Sequence, residues 1–416
     1  MGMEAVMEEA VLKVLDEVSI KKSSPFTTSL PSNFKIRILT LTPPKLRNGQ
    51  PPHHPNRHRH PSQALALHPS NRPRSPPSDG EILVRNEWAA STPFDLHRAD
   101  GGVLIDADAY PYLSGGGGAA GTVIALGAGD VKGLRVGDRV AAWAPFGGKQ
   151  ANHQDYVTIP AHMASKVPKG ISLQEAVTVP ANLVTVVYTA TTDLRLELPW
   201  PKPEGWTPRE ASEPILLWGA SSSVGIFALQ VFRHWGYTNL IAVSSGKHHE
   251  YLKTLGATTC FDYTKPGVVD AMSSSHPTLP YIIDCIGSVS GTLAPLSKIA
   301  QRGSRVAVML PIVIRDPTDT QAGEYSMNPS EFFADAWAED VELIGVRTMF
   351  YLQNPFLREN LPSDMVPTLL AQGVIKPNKY RIVEGATKLE RAQKALALLK
   401  SKAVSGERLV WRVSEQ

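Results

Sequence analysis

The sequence predicts an α/β chain in which a β-rich domain is split around an inserted, doubly wound parallel sheet. Three observations carry that expectation. Residues 215–231 read Ile-Leu-Leu-Trp-Gly-Ala-Ser-Ser-Ser-Val-Gly-Ile-Phe-Ala-Leu-Gln-Val, a buried apolar strand running into a turn of small residues and then into an amphipathic helix. Beyond it, strands and helical spacing alternate through Leu240–Ser244, Lys247–Leu255, Tyr281–Ile286 and Arg305–Leu310. On both sides of this unit the texture changes to short alternating strands and tight turns. At 416 residues, 42% hydrophobic and 19% charged, the chain has room for two cores of ordinary globular composition.

At the N-terminus, Met-Gly-Met-Glu-Ala-Val is too acidic for a secretory leader and lacks the hydroxyl residue of a myristoylation signal. No apolar run reaches the roughly 18 residues of a membrane span, so a cytoplasmic protein is expected. Residues 21–78 are expected to be a disordered Pro/His/Arg-rich insertion. From 43 to 78 there is almost no apolar periodicity, and such a segment cannot bury enough surface to offset the entropy of ordering it. Its histidines (His53, His54, His58, His60, His68) stand among prolines with no acid or Cys to complete a ligand shell. Between Glu17 and Asp79 lie ten Lys or Arg and no acid, so the net charge of +3 conceals a remainder of −7. That remainder has no basic stripe and gives no reason to expect nucleic acid.

From Gly80 the pattern is structural. Glu81–Ala90 alternates like a strand, and Gly121–Leu126 and Val131–Val140 repeat the pattern around Gly-Asp turns. Ser172–Ala190 has helical spacing, after which Pro-Trp-Pro-Lys-Pro interrupts before the strand at Ile215. The only cysteines, Cys260 and Cys285, fall in expected strands and read as buried small hydrophobes. Near the C-terminus, Leu389, Ala392, Leu396 and Leu399 share one helix face, and Arg408–Val413 supplies a closing strand.

The turn after Ile215–Trp218 carries chemistry. Small residues at Gly219, Ala220, Ser221, Ser222 and Ser223 let a backbone approach a pyrophosphate. Val224 opens the helix, and Gly225 lets that helix pack on the sheet, so free N–H groups and the positive helix end meet phosphate. The bland reading is an ordinary strand-to-helix turn.

With Gly137-Asp138-Arg139-Val140, Gly219 to Gly225, Gly256-Ala257 and Asp284-Cys285-Ile286-Gly287 in this order, the chain resembles the medium-chain dehydrogenase/reductase superfamily over residues 80–416. The resemblance implies a GroES-like catalytic domain (79–190 and 345–416) around a Rossmann NADPH-binding domain (191–344), with residues 1–20 as a first hairpin. Ser91-Thr92-Pro93-Phe94-Asp95 stands where the zinc branch carries its Cys, and Ser114 to Gly118 where it carries His-Glu. No metal is therefore expected. The pattern is similar to the zinc-free quinone oxidoreductase and enoyl reductase branch, especially fungal members that act beside polyketide synthases or alone.

NADPH is the expected cofactor. The second strand of the inserted unit ends in Ser244-Ser245-Gly246-Lys247, with hydroxyls and a cation where a dehydrogenase preferring NAD places an acid. Lys247 taken alone is equally a solvated first-turn lysine. Tyr263 stands where related quinone reductases use a tyrosine near the 2′-phosphate, and Gly287 ends the fourth strand's loop.

Hydride delivery to an activated C=C needs no Lewis acid, because the enolate charge can be met by a hydroxyl or an N–H. Thr92 and Asp95 resemble the family's Asn-Pro-x-Asp turn beside the nicotinamide, with Asp95 equally readable as a helix cap. Thr185 matches a threonine that contacts the nicotinamide amide, or is packing. Tyr110 and Tyr112 stand near where similar mitochondrial enoyl reductases hold a proton-donating tyrosine, which makes Tyr112 a candidate donor beside water; both are equally readable as surface or core tyrosines. The implied substrates are a small hydrophobic enone, enoyl thioester or quinone, in a pocket lined by Met349–Leu361, and the implied partners a second copy as homodimer or a polyketide synthase. Two alternatives stand beside this reading. One is a reductase-like accessory protein whose Gly115–Gly118 run loosens a loop that relatives hold with an acid. The other is a zinc-type alcohol dehydrogenase.

Overall fold

The computed structural model describes residues 35–42, 66–73, 76–105, 112–113 and 116–415, with side chains from residue 76 onward except at 112–113. Part of the stretch expected to be disordered is ordered. β1 (Lys35–Thr42) and β2 (Ala66–Pro73) pair antiparallel, Lys35 opposite Pro73 and Thr42 opposite Ala66. The overlooked signal is the alternation Lys-Ile-Arg-Ile at 35–38, a strand period inside a basic composition. The expected hairpin at residues 1–20 and most of 21–78 lie outside the described residues.

The first domain grows from β3 (Glu81–Ser91), which is followed by α1 (Pro93–Gly101) and, after β4 (Tyr112–Leu113) on β1, by β5 (Gly118–Leu126). β6 (Arg139–Trp143), β7 (Tyr156–Pro160) and β8 (Ala164–Lys166) extend the antiparallel sheet. The strand expected over Val131–Val140 begins only at Arg139. Val131–Asp138 is two tight turns, in which Leu134 N–H donates to the Val131 carbonyl (3.0 Å) and Asp138 N–H to that of Arg135 (3.0 Å). Ile82, Val84, Val123, Val157 and Ile159 are buried in one core because alternate residues of each strand face inward.

The helix expected at Ser172–Ala190 is broken in two. α2 (Leu173–Ala176) is capped by Ser172 and Glu175, and α3 (Pro180–Tyr188) restarts at Pro180, whose missing N–H is tolerated only in a first turn.

The second domain is a six-stranded parallel sheet. β9 (Ile215–Trp218) leads into α4 (Ser223–Trp235), β10 (Leu240–Ser244) into α5 (His249–Leu255), and β11 (Thr259–Asp262) into α6 (Val268–Ser275). β12 (Tyr281–Asp284), α7 (Ala294–Ile299), β13 (Arg305–Met309) and β16 (Glu342–Val346) complete it. The hairpin β14 (Ile312–Arg315) and β15 (Glu324–Ser326) precedes β16. The order β11-β10-β9-β12-β13-β16 places the reversal of winding between β9 and β12, where crevices form outside the carboxyl ends. β12 stops two residues short of its expected end, so Cys285 lies just past it, buried, while Cys260 in β11 is half-buried.

The boundary expected at 344/345 falls inside β16, because Arg305–Met309 pairs with Glu342–Val346 residue for residue. The chain returns to the first domain through α8 (Pro355–Asn360), α9 (Val366–Ala371), β17 (Tyr380–Ile382), α10 (Lys388–Lys400) and β18 (Arg408–Arg412). β18 inserts beside β3, Leu409 opposite Ser91, so the last strand closes the first domain's sheet.

Candidate functional site

The site is built on the turn between β9 and α4. Gly219 has φ +79, and a Cβ there would stand 2.5 Å from Ile286 Cγ1. At Gly225 a Cβ would meet the Ala220 backbone at 2.5 to 2.7 Å, which is why the helix sits so close to the strand. Gly219 and Ala220 N–H groups both donate to the Val243 carbonyl (3.0 Å each), tying the turn to β10. The Ser222 hydroxyl caps α4 by accepting from Gly225 N–H (3.2 Å), leaving the N–H groups of Ser223 and Val224 at the positive helix end without an intrahelical acceptor. Ser221 and Ser223 are half-buried, whereas Ala220 and Val224 pack into the core.

Opposite the turn, Asp284 shapes the loop that carries Gly287. Its carboxylate accepts from Ile286 and Gly287 N–H (3.0 Å each) and from the Thr292 hydroxyl (2.5 Å). Complete burial pushes its pKa up to about 6, with Thr292 and the two N–H groups pulling the other way. Gly287 has φ +69, and a Cβ there would run into the Met309 carbonyl oxygen. Beyond the turn opens a cavity of about 510 Å³ lined by Trp218, Tyr263, Val268, Asp270, Gly291 and Lys298. Tyr263, 51% exposed, is one of the residues that line this cavity.

The loop after β10 corrects one expectation and completes another. The Ser244 hydroxyl is fully buried and donates to the Ser245 carbonyl (3.2 Å), so it faces the fold. Ser245 is half-buried and Lys247 exposed. An acid does stand here: Asp262, paired in register with Ser244, brings Oδ2 to 2.9 Å from where a Cβ on Gly246 would sit. It comes from the neighbouring strand, so the acid-free window Ser244–His249 gave no sign of it.

Arg408, at the start of β18, was not marked by any sequence signal. It is 5% exposed, its Nη1 donating to Asn182 Oδ1 (2.8 Å) and lying 3.5 Å from Ser223 Oγ at the helix end. Its Nε and Nη2 are buried without a partner. Burial lowers its pKa to about 10, offset in part by Asp95, so it stays cationic at neutral pH.

On the first domain's wall, the Asp95 Oδ2 accepts from both the N–H (2.6 Å) and the hydroxyl (3.0 Å) of Thr92. That geometry favours the helix-capping reading of Asp95, and it engages the hydroxyl of Thr92 inside the wall. The other oxygen lies 3.9 Å from Nε2 of the fully buried His153, whose pKa burial holds down. The glycine run is not loose over its described part. Asn152 accepts from Gly116 N–H (3.2 Å) and donates to the Gly118 carbonyl (2.8 Å), and a Cβ at Gly117 or Gly118 would strike the carbonyl of Ala90 or Val177.

Tyr112 lies in β4 but its side chain, like all of Tyr110, lies outside the described residues. The Thr185 hydroxyl donates to the Ala181 carbonyl (2.8 Å) and accepts from Thr348 (3.2 Å), which links α3 to the start of the Met349–Leu361 segment. Within that segment Tyr351, Leu357 and Leu361 are core, Tyr351 stacking on Trp143 with ring centroids 6.0 Å apart, so only part of it is left to line a pocket. Among the described residues no three His, Cys, Asp or Glu side chains converge as metal ligands.

The model of the alcohol dehydrogenase GroES-like domain matches residues 78–188. The chain is 34% identical to the trans-enoyl reductase tazE of Aspergillus terreus over 232 residues, 53% of this chain and 72% of that protein. It is 26% identical to lovC of Aspergillus terreus, the enoyl reductase component of lovastatin nonaketide synthase, over 80% of this chain and 89% of that one. The Escherichia coli quinone oxidoreductase complexed with NADPH shares the fold, with a TM-score of 0.63 at 19% identity over 91% of this chain and 99% of that one. This chain is a member of the medium-chain dehydrogenase/reductase superfamily, in its enoyl reductase-like branch, and an oxidoreductase by kinship.

Proposed function

We propose that the protein is an NADPH-dependent reductase that delivers hydride to the C=C of an enone or enoyl thioester, or to a quinone, without zinc. The observation that carries the reading is the Gly219–Gly225 turn with the buried guanidinium of Arg408 3.5 Å from Ser223 Oγ at its helix end; the family resemblance puts Thr92 and the glycine run where the zinc branch carries its ligands. The cradle fits a dinucleotide: Gly219 and Gly225 let the turn and helix pack tightly, so the positive helix end and Arg408 stand together to meet a diphosphate's charge. The cavity floored by Trp218 takes the adenine, and Ser245, Lys247 and Tyr263 take the 2′-phosphate.

When bound, the nicotinamide supplies the hydride. The chain's own part is to hold the two reacting groups together and exclude water, with Thr185 fixed by Ala181 and Thr348 as a wall beside the ring. Oxygen charge developing on the substrate is met by N–H or hydroxyl groups, and the second proton comes from water or Tyr112. By analogy with the nonaketide synthase component, a polyketide synthase carrying the substrate is the proposed partner.

The test is NADPH oxidation by purified protein against a panel of quinones, enones and enoyl thioesters, with elemental analysis of the same sample. Turnover of at least one class with no stoichiometric zinc is expected. NADPH binding without any turnover would favour an accessory role, and one zinc per chain would return the alcohol dehydrogenase reading.

A further inference from the structure

Asp262 is an acid where a 2′-phosphate is proposed to bind, and two features show that it is built in. Its Oδ1 accepts from both the N–H (3.0 Å) and the hydroxyl (2.7 Å) of Thr264, which fixes the carboxylate on its own loop. Its Oδ2 is turned toward Gly246 and packs against it, so close that a methyl group there would be 2.9 Å away. Gly246 lies between Ser245 and Lys247, the two groups proposed to meet the phosphate. The same loop is held from its other side by His249, whose Nε2 lies 3.3 Å from the Ser244 carbonyl.

From this juxtaposition we propose that Asp262 is the positioning residue of the 2′-phosphate loop: pinned by Thr264, its carboxylate holds Gly246 and so presents Ser245 and Lys247 outward. The inference rests on the NADPH reading. Its physical logic is that exposed three-residue loops pay backbone entropy on binding, which a fixed acceptor removes in advance. The hydrogen bonds from Thr264 hold its pKa below the usual carboxylate range, so the acid stays ionised. The same negative charge opposes the incoming phosphate, and the arrangement trades some attraction for order.

The experiment is titration of the purified full-length protein with NADPH and with NADH, read by quenching of intrinsic tryptophan fluorescence, for wild type, Asp262→Ala, Asp262→Asn and Gly246→Ala. Wild type is expected to bind NADPH the tighter; equal or inverse preference sinks the cofactor reading itself, and this inference with it. Given that preference, Asp262→Ala should weaken NADPH about fivefold and leave NADH within experimental error. Asp262→Asn keeps an acceptor and loses the charge, so it should bind NADPH at least as tightly as wild type. Gly246→Ala, which pushes the loop off Asp262, should resemble Asp262→Ala. The inference alone is overturned if Asp262→Ala binds NADPH as well as wild type, if it weakens NADH equally, or if Asp262→Asn is no better than Asp262→Ala.

Discussion

Arg408 shows what a single side chain reveals once it is folded. Its cation is nearly inaccessible, yet two of its N–H groups have no partner, and a buried donor left unpaired is unfavourable unless something occupies the space in front of it. Asn182 and Ser223, from α3 and the α4 helix end, fix its direction toward the glycine turn. Arg408→Met is therefore expected to weaken NADPH and NADH alike by about tenfold, because the diphosphate is common to both, while thermal stability stays level or rises. Calorimetric titration beside a thermal melt checks both halves. A loss confined to NADPH would move Arg408 to the 2′-phosphate. Nothing in the order of residues near 408 announces this role, since a lone arginine opening a strand has no signature. The turn residues Gly219 and Gly225, by contrast, were legible because their smallness is forced by contacts within the same strand-turn-helix unit.

At the scale of elements, the glycine run ahead of β5 was misjudged as loose. Glycine is permissive in isolation, but Gly117 and Gly118 lie against the carbonyls of Ala90 and Val177, and Asn152 bonds on both sides of them. Close packing of backbone against backbone has made them the stiffest choice available. Asn152→Ala removes both bonds, from the Gly116 N–H and to the Gly118 carbonyl, in a fully buried place. It is expected to lower unfolding stability by about 2–4 kcal/mol in urea titration. A change within error would mean that water replaces the amide there. Helix α3 teaches the complementary lesson: the spacing from Ser172 to Ala190 is helical throughout, and only Pro180 decided that it would be two helices.

At the scale of the whole molecule, the two domains exchange chain at α3 and β16. Asp193 closes the turn that follows α3, buried beside Glu342 with Oδ2 unpartnered. Burial first, and then the charge of Glu342, raises its pKa to about 7. A carboxyl that titrates near 3.8 unfolded and near 7 folded holds its proton more firmly in the folded state, so its contribution to stability is full below the lower value and lost as pH rises through the upper. Asp193→Asn, which mimics the protonated form, should gain thermal stability over wild type progressively from about pH 4 to about pH 7 and level off above. A gain independent of pH would show that the carboxyl is not the titrating group.

What the sequence determined by itself is the inserted strand-turn-helix unit and the split β-rich domain around it. These are local patterns: periodicity, small residues at a turn, and residue types at set positions report interactions within one element and its neighbour in sequence. What only the tertiary structure decided is which distant groups meet at that turn. Asp262 came to the loop after β10 from the adjacent strand, Arg408 to the helix end from the closing strand, and Asn152 to the glycine run from beyond β6. Such meetings depend on strand order, register and crossovers, which no spacing along the chain encodes, because a sheet sets side by side strands whose order in space the local pattern does not fix.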